Sequence, residues 1–333
     1  MSVKRASASF LAFSGTGKRQ SNFATVMALV ALNALLPDTA KTFYRKDQTR
    51  QDVPDCSGQE LYKRILTGEI GDISVEFFAT AKLVTLLAVY GMGVVAAPVS
   101  GSGVYTHDID ELPLTSVQPP PFSLVFGFKG GATPLLLRGC TLNSLTLRGR
   151  ARQTVTGQSN IKFAEGVPAT GFSIPACVNE MPLFFGDCGL SVAGDSQAGL
   201  FRSFEFLYNN RLYTGDHAHT DEGIPPTRLE RNDQRERRLS YAILGDNSDQ
   251  AYLDAEAGAE KSFDLRIGKA DANRITFSSS LAHHVLDGGG LRKDGEANET
   301  NIAVVATPMI DGANMPLSAL AVNDQSTAYL ITA

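Results

Sequence analysis

Hydrophobic and polar side chains alternate from Cys140 to Leu147 within the stretch LLLRGCTLNSLTLRG, residues 135–149. Leu142, Leu145 and Leu147 are apolar, and the residues between them are polar. A period of two is typical of a strand with one dry face and one wet face. We therefore expect the leucine face to pack against a core, and the polar face to meet solvent, a ligand or a neighbouring subunit.

Similar alternation after residue 95 predicts a mainly β (α+β) fold, a sandwich or barrel with flanking helices. FKGGATP, residues 128–134, and SFDLRIGKADANRITFSS, residues 262–279, each have polar turns beside apolar runs and predict hairpins. The predicted strands are Ile73–Phe78, Phe122–Phe128, Pro134–Arg138, Thr141–Arg148, Thr154–Phe163, Arg202–Tyr208, Leu239–Leu244, Ser262–Ile267, Arg274–Ser278 and Ile302–Thr307.

Three segments have helical patterns. A helix capped by Asn22 is predicted to run to about Leu36, before a proline. Residues 57–68 begin with SGQE, which has the spacing of a capping box, and end at a glycine, so they predict a short helix. The apolar segment ATAKLVTLLAVYGMG, residues 79–93, predicts a third helix that ends at one of its last two glycines.

These patterns divide the chain into an N-terminal arm with short helices, residues 1–70, and a β-rich domain, residues 71–333. Two halves of that domain, about 71–165 and 200–325, are candidates for an internal duplication. The segments SLTLRGRAR and SFEFLYNNR share alternation and a terminal arginine. The order of strands around them differs, so the duplication stays a hypothesis.

Charge and cysteine usage narrow the class of protein. The 333 residues are 43% hydrophobic and carry a net charge of −5, which disfavours a protein that grips nucleic acid. The apolar stretch at residues 23–36 is too short to span a membrane.

No two cysteines form a CxxC pair, so we expect reduced, mostly buried thiols, with a Cys177–Cys188 disulfide as the alternative. The cysteines are Cys56, Cys140, Cys177 and Cys188.

The sequence contains no complete motif for catalysis, nucleotide binding or metal binding. FSGTGKRQ, residues 13–20, lacks the first glycine and the final Ser or Thr of a phosphate loop. DHAHTDE, residues 216–222, is the sharpest metal candidate, although a solvated loop is the plainer interpretation. The metal site would use His217 and His219, oxygens from Asp216, Asp221 and Glu222, and the pair His283–His284. The chain has no GxSxG and no HExxH, so we expect no enzyme and no catalytic, cofactor or metal site.

Two kinds of segment are predicted to lie on the surface of the protein or in contact with a partner. Residues 164–200 and 214–230 are long and rich in Gly and Pro, and we expect them to cross a surface or reach a partner. RLERNDQRERR, residues 228–238, mixes arginines with two Glu and one Asp and has no aromatic residue. That mixture predicts a solvated face or a subunit contact rich in ion pairs rather than a nucleic-acid reader.

The order of motifs at residues 105–165 is more specific. YTHDIDELPLTSVQPPPFSLVFGFKG is followed by LLLRGCTLNSLTLRGRARQTVTGQSNIKFAEG. A Thr-His pair, a strand preceded by prolines, a glycine-containing hairpin and G-C-x-x-N-S-L-x-L resemble the tail tube (major tail) proteins of long-tailed bacteriophages. FDLRIGKADANRITFSSSLAHHV and NIAVVATPMIDGANMPLSALAVND are similar to that family too, so the resemblance covers roughly residues 70–325.

The resemblance implies a structural virion protein, made in the host bacterial cytoplasm, with no membrane association. Its subunits would form homohexameric rings, or trimers with pseudo-sixfold symmetry, that stack into a tube for DNA ejection. Strands of all subunits would join one intersubunit barrel, which removes exposed edges. Residues 1–20, 164–200 and 214–238 would bridge successive rings. The other partners would be tail proteins: the terminator, the tape measure and the distal tail protein.

The resemblance also implies a lumen through which DNA passes without specific binding. Because a basic lining would hold DNA by counterion release, we expect more Asp and Glu than Lys and Arg at lumen-facing strand positions. The arginines of residues 148–152 are therefore assigned to the outer or intersubunit side, where a neighbour's carboxylates could pair with them.

Three rival interpretations remain. The first is another tail component, a terminator or a baseplate hub. The second is a carbohydrate-binding or receptor-binding β module, against which the absence of Trp counts. The third is a metal-dependent cupin-like enzyme that uses His217 and His219.

Overall fold

A computed structural model describes most of the chain. The described residues are 9–13, 28–29, 34–35, 41–54, 61–101, 103–113, 118–128, 133–176, 180–212, 229, 231, 234–293, 300–312 and 314–329. Most of the predicted surface segment at residues 214–230 and most of residues 1–20 lie outside this range.

Strands dominate the described residues, as the alternation predicted. The helices are α1, Ala81–Met92, and α2, Gln250–Glu256, with a 3-10 turn at Phe185–Asp187. The strands are β1 Ser9–Phe13, β2 Ala34–Leu35, β3 Lys41–Pro54, β4 Leu61–Phe78, β5 Gly93–Val95, β6 Val99–Gly101, β7 Val104–Glu111, β8 Phe122–Phe128, β9 Leu135–Arg150, β10 Thr156–Phe163, β11 Glu165–Pro168, β12 Gly189–Val192, β13 Asp195–Ser196, β14 Phe201–Asn209, β15 Glu236–Leu244, β16 Glu260–Gly268, β17 Arg274–Lys293, β18 Thr300–Pro308 and β19 Ser318–Asn323.

The main sheet is antiparallel, with β3, β4, β10, β9, β14, β15, β18 and β17 hydrogen-bonded in that order. The first half of β17 also pairs with β16 on one side and β19 on the other. β16 in turn pairs with β12, and β19 pairs with β7. Aromatic rings of the main sheet and of the first half of β17 stack in the core: Phe206 of β14 lies on Phe277 of β17, with 4.1 Å between ring centroids. The β8–β9 and β16–β17 pairs are the predicted hairpins.

β9 contains the leucine-rich stretch at residues 135–149. Its leucines at 142, 145 and 147 are buried, which confirms that this face packs the core. The two strands predicted at 134–138 and 141–148 are one strand. Its first part pairs with β8 and β11, and its second part with β10 and β14. Gly139 lies at the change of partners with φ 59°, a conformation that glycine adopts without a steric penalty.

α1 confirms the helix predicted at residues 79–93. All its residues except Lys82 are buried, so its apolar sequence reflects enclosure on every side. Tyr90 stacks on Phe122 of β8 with 3.9 Å between ring centroids. The helix ends at Gly93, whose φ of 96° gives the left-handed cap that glycine favours.

The predicted helix at residues 57–68 is wrong, because β4 begins at Leu61 and continues to Phe78 as a strand. β4 pairs with β3 from Pro54↔Leu61 to Lys41↔Glu76, and this long ladder overrides the local capping-box signal. Most of the helix predicted after Asn22 lies outside the described residues, but Ala34–Leu35 pairs with β1 as a strand. The domain division at residue 70 and the duplication stay predictions.

Candidate functional site

β3 is a long strand for which the described residues supply one partner strand, β4. It pairs with β4 along its length, and among the described residues no strand pairs with its other side. The other described strands with a single partner strand are two to four residues long. Unpaired backbone N–H and C=O groups on a long edge are ready to pair with another chain, whereas short edges are protected. β3 is therefore the candidate edge for pairing between subunits.

The wet face of β9 carries ion pairs within the chain. Arg148 Nε donates to Glu205 Oε2 of β14 at 2.7 Å, and Arg238 of β15 donates to Glu205 Oε1 at 3.1 Å. The hydrogen bond from Arg148 holds the pKa of Glu205 below its ordinary value. Arg148 thus has a carboxylate partner in its own chain, and Arg150 and Arg152 are exposed. Contact of this polar face with a neighbouring subunit or with the lumen stays a prediction.

A second ionic cluster is buried. The Glu111 side chain, at the end of β7, is 0% exposed, and Arg235 and Arg237 beside it are 3% and 10% exposed. Arg237 Nε donates to Glu111 Oε1 at 2.6 Å, and Arg235 NH1 lies 3.7 Å from Glu111 Oε2. Arg235 also donates through NH2 to the carbonyl oxygen of Leu112 at 2.7 Å. The cluster ties β7 to the start of β15.

Arg231 adds a third cation near this carboxylate. Burial and the neighbouring Arg235 lower the pKa of Arg231 to about 10. Its Nε donates to Asn210 Oδ1 at 3.0 Å. The solvated-face alternative for residues 228–238 is wrong at Arg235 and Arg237, because their side chains are buried beside Glu111, which neutralises part of their charge. The alternative of a subunit contact stays a prediction.

His284, one of the two adjacent histidines of the candidate metal site, contacts a tyrosine in the core. His284 is buried, and its Nδ1 lies 3.2 Å from the Tyr241 hydroxyl. Burial lowers the pKa of His284. His217 and His219 lie outside the described residues. Within the described part of the chain, no three His, Cys, Asp or Glu side chains are grouped as metal ligands.

Cysteine chemistry is limited in the described regions. Cys140 and Cys188 are free thiols among the described residues, and the alternative Cys177–Cys188 disulfide stays a prediction. Burial raises the pKa of both thiols, that of Cys188 to about 11. Protonated, enclosed thiols are poor nucleophiles. Cys56 and Cys177 lie outside the described residues.

Comparison with known families adds evidence beyond this geometry. Among the described residues, no helix has the length and apolar character needed to cross a membrane. The search of curated proteins gives no match. A family model described as phage tail tube protein matches residues 70–313, well over half of the chain.

Proposed function

Because this chain belongs to the phage tail tube protein family, we propose that it assembles with itself into stacked rings. The stack forms the tube that conducts DNA out of the virion. Family membership makes the chain a structural component of the phage tail. Ring formation, ring symmetry and the DNA conduit go beyond membership and rest on the physical features of the chain.

The observation that carries the proposal is the long edge of β3: it has 14 residues, and β4 is its single strand partner among the described residues. A closed ring of subunits would pair the side of β3 away from β4 with the next subunit, and closure would leave no long edge exposed. Six single copies or three pseudo-duplicated copies would both close such a barrel.

Exposed apolar side chains on residues 164–200 support contacts with other copies or with tail proteins. Met181 is 85% exposed, and Ile174 and Phe184 are also exposed. Exposed apolar side chains of this size gain free energy when a partner covers them. This segment is proposed to bridge neighbouring rings, together with residues 1–20 and 214–238. The terminator, the tape measure and the distal tail protein are the partners proposed for the ends and interior of the tube.

DNA is proposed to slide through the lumen without specific binding. The net charge of −5 supports this, because a wall without excess cationic side chains displaces few counterions from the DNA phosphates and so gains little binding free energy. Lumen-facing strand positions should therefore carry more Asp and Glu than Lys and Arg. The protein would act in the virion after synthesis in the host bacterial cytoplasm.

Negative-stain microscopy of the purified chain tests the assembly. Rings or tubes with a central channel are expected as the protein concentration rises. A compact monomer at every concentration would overturn the proposal. Copy number in the virion separates a tube protein, present in large excess, from a terminator or a baseplate hub.

A proline substitution tests the role of the β3 edge. Backbone N–H groups of neighbouring strand residues point to opposite sides, so one of the single variants Lys46→Pro and Asp47→Pro removes a donor from the side away from β4, and ring closure of that variant should weaken. Val99→Pro in the short edge strand β6 is the matched control, and it should assemble as the wild type does. Circular dichroism checks that all three variants fold. Assembly of both folded β3 variants equal to that of the wild type would show that β3 is not the pairing edge.

A further inference from the structure

The main sheet consists of two successive groups of four strands that have the same order. In the first group, β3 pairs with β4, β4 with β10 and β10 with β9. In the second group, β14 pairs with β15, β15 with β18 and β18 with β17. Counted along the chain within each group, both orders are first, second, fourth and third strand. All six of these pairings are antiparallel.

The chain also connects the strands of the two groups in the same way. A helix follows the second strand of each group: α1 follows β4, and α2 follows β15. The helix then packs against the third strand of its own group, α1 against β9 and α2 against β17. The third and fourth strands are consecutive in the chain in both groups. β3 therefore corresponds to β14, and β9 corresponds to β17.

The two third strands change partners in the same manner. The first part of β9 pairs with β8 and β11, and its second part pairs with β10 and β14. The first half of β17 pairs with β16 and β19, and its second half pairs with β18. Each third strand thus begins with partners outside its group and pairs with the fourth strand only further along.

The two groups meet at an antiparallel ladder between β9 and β14. It extends from Ser203↔Arg150 to Asn209↔Ser144 and makes the eight strands continuous. An ion pair crosses this ladder, because Arg148 Nε donates to Glu205 Oε2 at 2.7 Å. The junction therefore places the first strand of one group beside the third strand of the other.

The two ends of the eight-stranded sheet are strands of these same two kinds. One end is β3, a first strand, and β4 is its single strand partner among the described residues. The other end is the second half of β17, a third strand. From residue 285 to residue 293, its only strand partner in the described part of the chain is β18. The end strands therefore correspond to the two strands that meet at the junction inside the chain.

We propose that the second half of β17 pairs, antiparallel, with β3 of a second copy of this chain, as β9 pairs with β14 inside one chain. The proposed repeated units are residues 41–163 and 201–308, and each chain fills two adjacent positions of the ring. Because the contact joins two different edges, it is heterologous and closes into a ring when the rotation allows. This inference rests on the proposed ring assembly, and it selects three chains with pseudo-sixfold symmetry over six.

The number of strands sets the width of the closed barrel. Three chains with eight main-sheet strands each supply 24 strands, and six chains supply 48. With about 4.8 Å between strands and a tilt of about 35–45°, 24 strands close into a backbone barrel roughly 45–50 Å across, and 48 strands into one roughly 90–100 Å across. The two compositions thus differ twofold in both width and mass.

Native mass spectrometry of rings and electron cryomicroscopy of tubes test the composition. A ring of three chains has a mass of about 107 kDa, three times the 35.6 kDa of one chain. Its cross-section should have six similar lobes that repeat with threefold symmetry. A ring of six chains, or a barrel twice as wide, overturns the proposal.

A photocrosslinker tests the pairing of the two edges. Benzoylphenylalanine replaces Leu291, which is 38% exposed and pairs with Ile302 of β18, in light chains mixed with heavy isotope-labelled chains. Crosslinks from light chains to residues 41–54 of heavy chains support the proposal. The matched control carries the same group at Val99, which is 64% exposed on the short strand β6, and it should give no such crosslink.

Microscopy checks that the labelled chains form rings. If they do, then crosslinks confined to one chain, crosslinks to any other segment of a second copy, or no crosslink at all each overturn the β17–β3 contact. In these cases, and if the ring contains six chains, self-assembly stands while this inference fails. If the wild-type chain forms no ring or tube at any concentration, both proposals are overturned.

Discussion

Replacing Glu111 by glutamine removes the carboxylate that Arg235 and Arg237 share, while the side-chain shape is kept. The Glu111 side chain is 0% exposed, and the partners are 3% and 10% exposed, so water cannot take over the solvation of either guanidinium. Removing one partner of a buried ion pair costs about 3–5 kcal/mol. We therefore expect Glu111→Gln to lower the free energy of unfolding by that amount.

Glu205→Gln is the matched control, because it makes the same chemical change in another carboxylate with two arginine partners. Its partner Arg148 is 56% exposed, and exposed pairs contribute about 0–1 kcal/mol. Urea unfolding followed by circular dichroism at one low protein concentration compares the two variants. With an m-value of about 3 kcal/mol/M, the midpoint should fall by roughly 1 M or more for Glu111→Gln and by a few tenths for the control.

The concentration must be fixed, since self-association would add stability that has no origin in the cluster. Equal midpoint shifts in the two variants would refute the reasoning, because burial would then make no difference to the loss of a carboxylate. A smaller shift of the urea midpoint for Glu111→Gln than for the control would show that other groups neutralise Arg231, Arg235 and Arg237.

Three further predictions concern the core, the sheet and pH. Leu145→Ala should lower the free energy of unfolding by about 2–5 kcal/mol, measured by urea denaturation, because the side chain is 1% exposed and leaves a cavity. Gly71→Ala should cost about 1–3 kcal/mol in the same assay, since a Cβ there would overlap the ring of Phe163; an unchanged midpoint would contradict this packing. Arg148 lowers the folded-state pKa of Glu205 below 4.5, so this pair stabilises the fold above pH about 4.5 and loses that contribution as pH falls through the folded value. Glu205→Gln should flatten this acid limb of the unfolding midpoint, and an identical pH profile would exclude the pair as its source.

Alternation and apolar runs determined much of the fold from sequence. The leucine face of β9, the β8–β9 and β16–β17 hairpins and the enclosed helix α1 all follow from spacing within one segment. Such features are local, because the period of side chains and the position of glycine fix which face is apolar and where an element ends. The order of motifs also led to the tail tube family, which the family match confirms.

The tertiary structure decided what depends on distant residues. A capping box predicted a helix at residues 57–68, but pairing with β3 makes residues 61–68 part of β4. A charged run predicted a solvated face or a subunit contact, but Arg237 donates a hydrogen bond to Glu111, 126 positions away, and both side chains are buried. A cavity of about 920 Å³ where β9 ends and β14 begins is lined by residues from five separate parts of the chain, and no linear motif predicts it. A sequence pattern reports the environment that a segment prefers, whereas the partner that satisfies its hydrogen bonds and charges is set by the folding of the whole chain.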